Sequence, residues 1–190
     1  MKDRADKLLV SLGHFDSRAG ARAAIEAGRV TANGVTVAKP SQMLSSEDVI
    51  LAEAAHPYVS RGGLKLAHAL EAFGVDPEDR HCLDIGASTG GFTDVLLRAG
   101  AAHVTAIDVG REQLHASLRG HPRVTSLEAQ DARTLTTAMM PAPPSLLVCD
   151  ASFIGLEKLL DVPLGLAASG ADFVGLFKPQ FQVGRAHVGK

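Results

Sequence analysis

The chain has 190 residues, of which 46% are apolar and 21% charged, an ordinary globular composition that excludes a disordered chain. Its formal net charge of -2 does not mark the whole surface as a polyanion binder, so any basic face must be local. Two cysteines are too few for a disulfide framework, and no apolar run approaches the roughly 20 residues that span a bilayer.

The start, Met1-Lys-Asp-Arg-Ala-Asp-Lys7, is charged and shows no signal-peptide pattern, so a cytoplasmic location is expected. Residues 1–39 hold seven Lys/Arg against four Asp/Glu, which leaves the remainder at -5. That asymmetry favours polyanion contact near the N-terminus. Residues 4–12 read as a helix stopped by Gly13. Ser17 is a good N-cap for a second helix, Arg18 to Ala27, with Gly28 as its stop. Arg29 to Ala38 reads as a hairpin around Asn33-Gly34, because both residues accept positive φ. A further strand is expected at Asp48 to Ala52. This α+β module, 1–52, is small for a core of its own. A linker is expected over 53–60, where His56-Pro57 interrupts regular structure.

From residue 61 the pattern changes. A helix is expected over Gly62 to Phe73. Apolar strands follow at His81–Ile85, His103–Ile107, Val124–Glu128, Leu146–Cys149 and Phe173–Phe177. Helices are expected between them at Phe92–Ala99, Gln113–Leu118, Thr134–Met140 and Leu156–Ala168. Strands alternating with helices imply an α/β domain, 61–190, with a mostly parallel sheet whose ligands bind at the carboxyl ends of the strands. Cys82 and Cys149 fall inside these strands and read as buried thiols. The eight histidines are scattered, so no metal site is expected.

The most informative stretch is Cys82-Leu-Asp84-Ile-Gly86-Ala87-Ser88-Thr89-Gly90-Gly91-Phe92-Thr93. It leaves a buried strand, turns through a glycine-rich loop and enters a helix, an arrangement that offers backbone N–H groups to an anion. Asp84 ends the strand as an acceptor for a cationic amino group. Asp108, followed by Val109, ends the second strand where an acid can bind ribose hydroxyls. Asp131-Ala132 follows the third strand, where a side chain can read an adenine amino group. Each of these two acids is also a good helix cap. The loop with both acids in register points to a nucleotide-type cofactor. The spacing is G-x-x-x-G-G, not the G-x-G-x-x-G of a dinucleotide site; in S-adenosylmethionine (SAM) the anion is the methionine carboxylate, and NAD remains the competing ligand on spacing alone.

Two further strand ends carry charge. Asp150 closes the fourth strand and Lys178 the fifth, with Pro179 as a stop. Charges delivered by apolar strands are costly to desolvate unless paired, and such pairs mark functional sites. An ordinary salt bridge at the strand mouth is the plainer reading.

Four signatures carry a family resemblance: Tyr58-Val-Ser-Arg61-Gly-Gly-Leu-Lys65-Leu66, Asp84 to Thr93, Asp150-Ala-Ser-Phe-Ile154, and Lys178-Pro-Gln-Phe-Gln-Val-Gly184. The chain resembles the TlyA, or hemolysin A-like, family of SAM-dependent ribosomal RNA 2′-O-methyltransferases. The resemblance implies a Rossmann-like methyltransferase domain of FtsJ type, preceded by a small αL-type RNA-binding domain. It implies SAM as cofactor, ribosomal RNA or ribosomal subunits as partner, and a cytidine ribose as target. Its Lys-Asp-Lys-Glu tetrad maps three residues, Lys65, Asp150 and Lys178, with Lys178 taking the 2′-hydroxyl proton. The glutamate has no counterpart, because no acid follows Lys178. The sheet is therefore expected to lack its last strands. That leaves open a SAM- and RNA-binding fragment without turnover, and, more distantly, a cytolysin. Arg4, Lys7, Arg18, Arg22 and Arg29 are the candidate phosphate ligands of the first module, and Arg61, near the hinge, is a candidate bridge between RNA and the cofactor site.

Overall fold

A computed structural model describes residues 2–182. The chain divides into two compact units, Met1–Pro57 and Tyr58–Lys190.

The first unit runs β1 (Lys2–Arg4), α1 (Ala5–Ser11), α2 (Arg18–Glu26), β2 (Val30–Ala32), β3 (Val35–Thr36), β4 (Met43–Ser45) and β5 (Ile50–Ala52). Helix α1 buries Ala5, Leu8 and Leu9, and α2 buries Ala21, Ala24 and Ile25. These helical-period stripes pack on Val30, Ala32, Val37 and Leu44. Ser17 caps α2 by accepting the Gly20 N–H at 3.2 Å. Asn33 and Gly34 take φ of 51° and 79°, the geometry that a two-residue hairpin between β2 and β3 requires. Asn33 does more: its side chain donates to Asp48 Oδ1 and accepts the Val49 N–H, tying the hairpin to the segment before β5. The β1–β4 pair was not foreseen, since the charged start gives no strand signal.

The unit's one fully buried charge is Asp6, among the described residues. Arg4 donates to both of its oxygens at 3.0 and 3.1 Å, and Arg18 to one at 2.9 Å. Arg4 above all, then Arg18, holds this carboxyl well below the usual carboxylate range. A depressed folded-state value adds stability that is present above the unfolded value and is lost as pH falls through the folded one.

The second unit runs α3 (Gly62–Phe73), β6 (His81–Ile85), α4 (Gly91–Arg98), β7 (His103–Asp108), β8 (Val124–Glu128), two short 3-10 turns (Ala132–Thr134 and Thr137–Met139), β9 (Leu146–Cys149), α5 (Leu156–Leu159), α6 (Asp161–Gly165), β10 (Asp172–Gly175) and α7 (Pro179–Gln182). Five strands form one sheet in the order β10-β9-β6-β7-β8, and every pair is parallel. Alternate residues feed two cores. Cys82, Val104, Leu146 and Val148 face α3 and α4. Leu83, Ile107, Leu147 and Cys149 face the 3-10 turns and α5. Both cysteines are free and buried, and burial pushes their thiols up to about 12 and about 11.

Three expected helices are corrected. Residues 113–118 form no helix: the Ser117 N–H, which would meet the Gln113 carbonyl in a helix, goes to the His115 ring, and the Leu118 N–H goes to the His115 carbonyl in a tighter turn. Residues 134–140 form no α-helix: Leu135 and Thr136 are extended and separate the two 3-10 turns. Residues 156–168 break into α5 and α6. Pro163 accounts for the break, since proline fits only the first turn of a helix, and a new helix starts at Asp161 to accommodate it.

The strand order has a consequence for function. From β6 the chain winds outward to β7 and β8, then returns to lay β9 on the other side of β6. The crossovers diverge at the β6–β9 junction and open a crevice at the carboxyl ends of those strands. Asp150 follows β9 at that point.

For the first unit, Asp6→Asn should lower the hydrogen-exchange protection of the α1 and α2 amides at pH 7 by one to two orders of magnitude, corresponding to ~2 kcal/mol. The wild-type chain should lose the same protection progressively as pH falls from about 4 toward the depressed Asp6 value. Unchanged protection in the variant would show that the Arg4–Asp6–Arg18 cluster does not hold the unit.

Candidate active site

Two cavities meet at the crevice. One, of about 610 Å³, is lined by Ser60, Arg61, Gly62, Lys65, Gly86 to Thr89, Gly91, Phe92, Asp150, Ser152 and Lys178. The other, of about 540 Å³, is lined by residues that include Gly86, Ser88, Asp108, Val109, Gln113, Asp131, Ala132, Asp150 and Phe153. They share Gly86, Ser88, Asp150 and Ser152 and so form one groove.

The glycine loop is shaped first by packing. Gly86 has φ of 80°, and a Cβ there would lie 2.9 Å from the Ala151 Cα. Only glycine lets the end of β6 touch the end of β9. Gly91 lies against Ser60 and the Gly63 backbone, which a Cβ would strike. The Val59 N–H donates to buried Asp94 of α4 at 2.9 Å. These contacts bring the Tyr58–Lys65 signature onto the glycine loop, a link the motifs do not reveal separately.

Asp150 is the centre of a charged cluster. Lys178 Nζ lies 2.5 Å from its Oδ1 and donates to its carbonyl oxygen at 3.0 Å and to Ser152 Oγ at 2.9 Å. Lys65 Nζ stands 3.9 Å from Oδ2. Each carboxylate oxygen thus faces a different lysine. Lys178 is 19% exposed and Lys65 is 56% exposed, so Lys178 is the member shielded from water. Ser152 was not singled out in the sequence; its only signal is its place two residues after Asp150. Phe153 takes φ of 68° and is 90% exposed, with its ring 5.2 Å from that of Phe181. Gln182 accepts the Leu156 N–H and ties α7 to the loop after β9.

The expected cofactor residues divide into two groups. Gly86, Ala87, Ser88, Thr89, Gly91, Asp108, Val109, Asp131 and Ala132 line the groove. Asp84 and Gly90 do not. Gly90 packs toward Leu114 and Leu118. Asp84 is fully buried on the α4 side of the sheet, where Thr93 Oγ1 donates to its Oδ2 at 2.7 Å. Its Oδ1 has no hydrogen-bond partner among the described residues. The acids at the other strand ends are tethers as well as candidate ligands. Asp108 accepts the Ser88 N–H at 2.8 Å and the Gly110 N–H at 2.7 Å. Asp131 accepts the Arg133 N–H and pairs with its guanidinium at 2.7 Å, so it also serves as a cap.

The candidate phosphate ligands of the first unit differ in what engages them. Arg4 and Arg18 hold Asp6, Lys7 pairs with Asp3, and Arg29 with Glu53. Arg22 is exposed. Arg61 is exposed at the N-terminus of α3 and lines the larger cavity. Among the described residues, no helix is long and apolar enough to cross a membrane, and no group of three or more His, Cys, Asp or Glu could hold a metal ion.

Burial pushes the Asp84 carboxyl up to about 7, against the pull of the Thr93 donors. A carboxyl raised above its unfolded value favours the protonated fold. Its contribution is therefore present at low pH and is lost as pH rises from about 4 through about 7. Asp84→Asn, which mimics the neutral form, should flatten the decline in melting temperature between pH 5 and pH 8. An identical slope in both proteins would contradict the assignment of that decline to Asp84.

Comparison with known proteins accords with this geometry. The FtsJ-like methyltransferase family matches residues 58–190, and the S4 domain matches residues 3–50. The 16S/23S rRNA (cytidine-2′-O)-methyltransferase TlyA of Mycobacterium tuberculosis is 46% identical over 98% of this chain and 70% of its own. Hemolysin A of Brachyspira hyodysenteriae is 41% identical over 98% of this chain and 78% of its own. A solved structure from Streptococcus thermophilus, described as a hemolysin, superposes with a TM-score of 0.71 at 40% identity, covering 99% of this chain and 70% of that one. This chain is a member of the TlyA family of FtsJ-like methyltransferases.

Proposed function

We propose that the chain transfers a methyl group from SAM to the 2′-hydroxyl of a ribose, that of a cytidine in ribosomal RNA. The observation that carries this reading is the Lys65–Asp150–Lys178 cluster, placed in one cavity and shared through Asp150 with a second, nucleoside-sized cavity. A family relative is named as an rRNA (cytidine-2′-O)-methyltransferase, and the S4 match supports ribosomal RNA or ribosomal subunits as the partner.

The residues present fit SAM. Asp108 offers remaining lone pairs to ribose hydroxyls, Val109 and Ala132 offer apolar surface to adenine, and Asp131 lies beside them. The unsatisfied Asp84 Oδ1 suits a cationic amino group reached through water. SAM supplies a sulfonium methyl already activated for transfer. The chain's task is then to position the nucleophile and manage its proton. In its unprotonated form Lys178 Nζ takes the hydroxyl proton. Asp150 holds Lys178 in place and stabilises the ammonium that results. Lys65 brings a second positive charge to the oxygen from the open side. Arg61 at the same cavity, with Arg4, Lys7, Arg18, Arg22 and Arg29 on the first unit, supplies charge for the phosphodiester backbone. A ribose 2′-hydroxyl is absent from DNA, so the reaction selects RNA.

Labelled SAM incubated with unmethylated ribosomal RNA or subunits tests the reading. Methyl transfer should occur and should fall by about a hundredfold or more in Lys178→Ala, with SAM affinity retained. SAM binding without transfer by the unaltered chain would favour a binding protein over an enzyme. Transfer undiminished in Lys178→Ala would remove Lys178 from the chemistry.

A further inference from the structure

The turn between β7 and β8 is held by a carboxylate that the proposed chemistry does not use. Glu128 closes β8, opposite Asp108 at the end of β7. Its oxygens accept three consecutive backbone N–H groups, those of Glu112 at 2.8 Å, Gln113 at 2.9 Å and Leu114 at 3.1 Å. Successive N–H groups curled in this way form a nest for an anion, and here the anion belongs to the chain. These N–H groups, that of Leu114 first, hold the Glu128 carboxyl below its usual range. Glu112 takes φ of 53°, a left-handed conformation that a non-glycine residue keeps only where its surroundings fix it. The turn is pinned at its other end too: the His115 N–H donates to the Thr89 carbonyl at 3.1 Å, and Leu114 is buried under Gly90.

What this turn presents to the groove is Gln113. Its amide lies across Gly110, so that a side chain at 110 would collide with it. It lines the 540 Å³ cavity beside Asp108, Val109 and Asp131. Those two acids can only accept when ionised, whereas an amide both donates and accepts.

We propose that Glu128 is a positioning residue for the cofactor, fixing the 111–114 turn so that the Gln113 amide hydrogen-bonds the nucleoside part of SAM. This rests on the reading of the groove as a SAM site. Glu128 reaches no reacting atom. It acts through the backbone of the turn, and its loss should appear in cofactor affinity rather than in the chemical step.

The test measures SAM and adenosine affinity by calorimetry, together with kcat at saturating SAM and KM for RNA. Gln113→Ala should weaken SAM and adenosine alike by about tenfold. Glu128→Ala should weaken both by at least as much, and the double variant should be no weaker than Glu128→Ala alone. Glu128→Gln, which keeps one acceptor oxygen, should fall between Glu128→Ala and wild type. All should keep kcat and the KM for RNA within about twofold. Additive losses, unchanged SAM affinity in Gln113→Ala, or a fall in kcat with SAM affinity intact would overturn the proposal. If Glu128→Ala does not fold, Gln113→Ala and Glu128→Gln carry the same test. A wild-type chain that binds neither SAM nor adenosine would remove the site reading itself, and the proposal with it.

Discussion

The contact between Asp150 and Lys178 is the interaction around which the methyltransferase unit is arranged. A carboxylate and an ammonium at adjacent parallel strand ends are expensive to withdraw from water unless each satisfies the other. The strand order places β9 beside β6 at the point where the crossovers diverge, and Gly86 lets the two strand ends touch. Lys178 then reaches Asp150 from the far side, and Lys65 reaches its second oxygen from α3. Without the close approach at Gly86 the carboxylate would stand away from the glycine loop. Without Asp150 two cations would face each other across one cavity.

A second theme is that acids at strand ends act first on the chain itself. Asp108 gathers the N–H groups of Ser88 and Gly110, Asp131 caps the turn at Ala132, and Glu128 curls the 111–114 segment. Each fixes backbone that lines the groove, and Asp108 and Asp131 also line it themselves. The opposition between cap and cofactor ligand is therefore a false one for Asp108: a carboxylate with two oxygens can anchor a loop and face a ligand together. Asp84 differs. It is buried behind the loop, and one of its oxygens has no hydrogen-bond partner among the described residues.

The sequence made the parallel strands legible because each is an apolar run bounded by turn residues, as in Leu146–Cys149. It made the proposed catalytic cluster legible because Asp150 and Lys178 interrupt such runs with charge. The expected helix at Gln113–Leu118 failed because the His115 ring takes the Ser117 N–H and the His115 carbonyl takes the Leu118 N–H, a competition that apolar periodicity does not show. Residues 156–168 looked like one helix by periodicity, and Pro163 split them. In the first unit, the role of Arg4 and Arg18 was hidden because their common partner, Asp6, sits in a helix that otherwise reads as polar and exposed at that position. Two arginines expected to face phosphate also hold that carboxylate, Arg4 through two nitrogens and Arg18 through one.

The account stands most directly on where the methyl group goes. Ribosomal RNA incubated with the chain and SAM, digested to nucleosides and resolved by mass spectrometry, should yield 2′-O-methylcytidine, and the Lys178→Ala protein should yield none above background. A methyl group found on a base, or RNA left unmodified by a chain that binds both SAM and RNA, would contradict the role assigned to Lys65, Asp150 and Lys178.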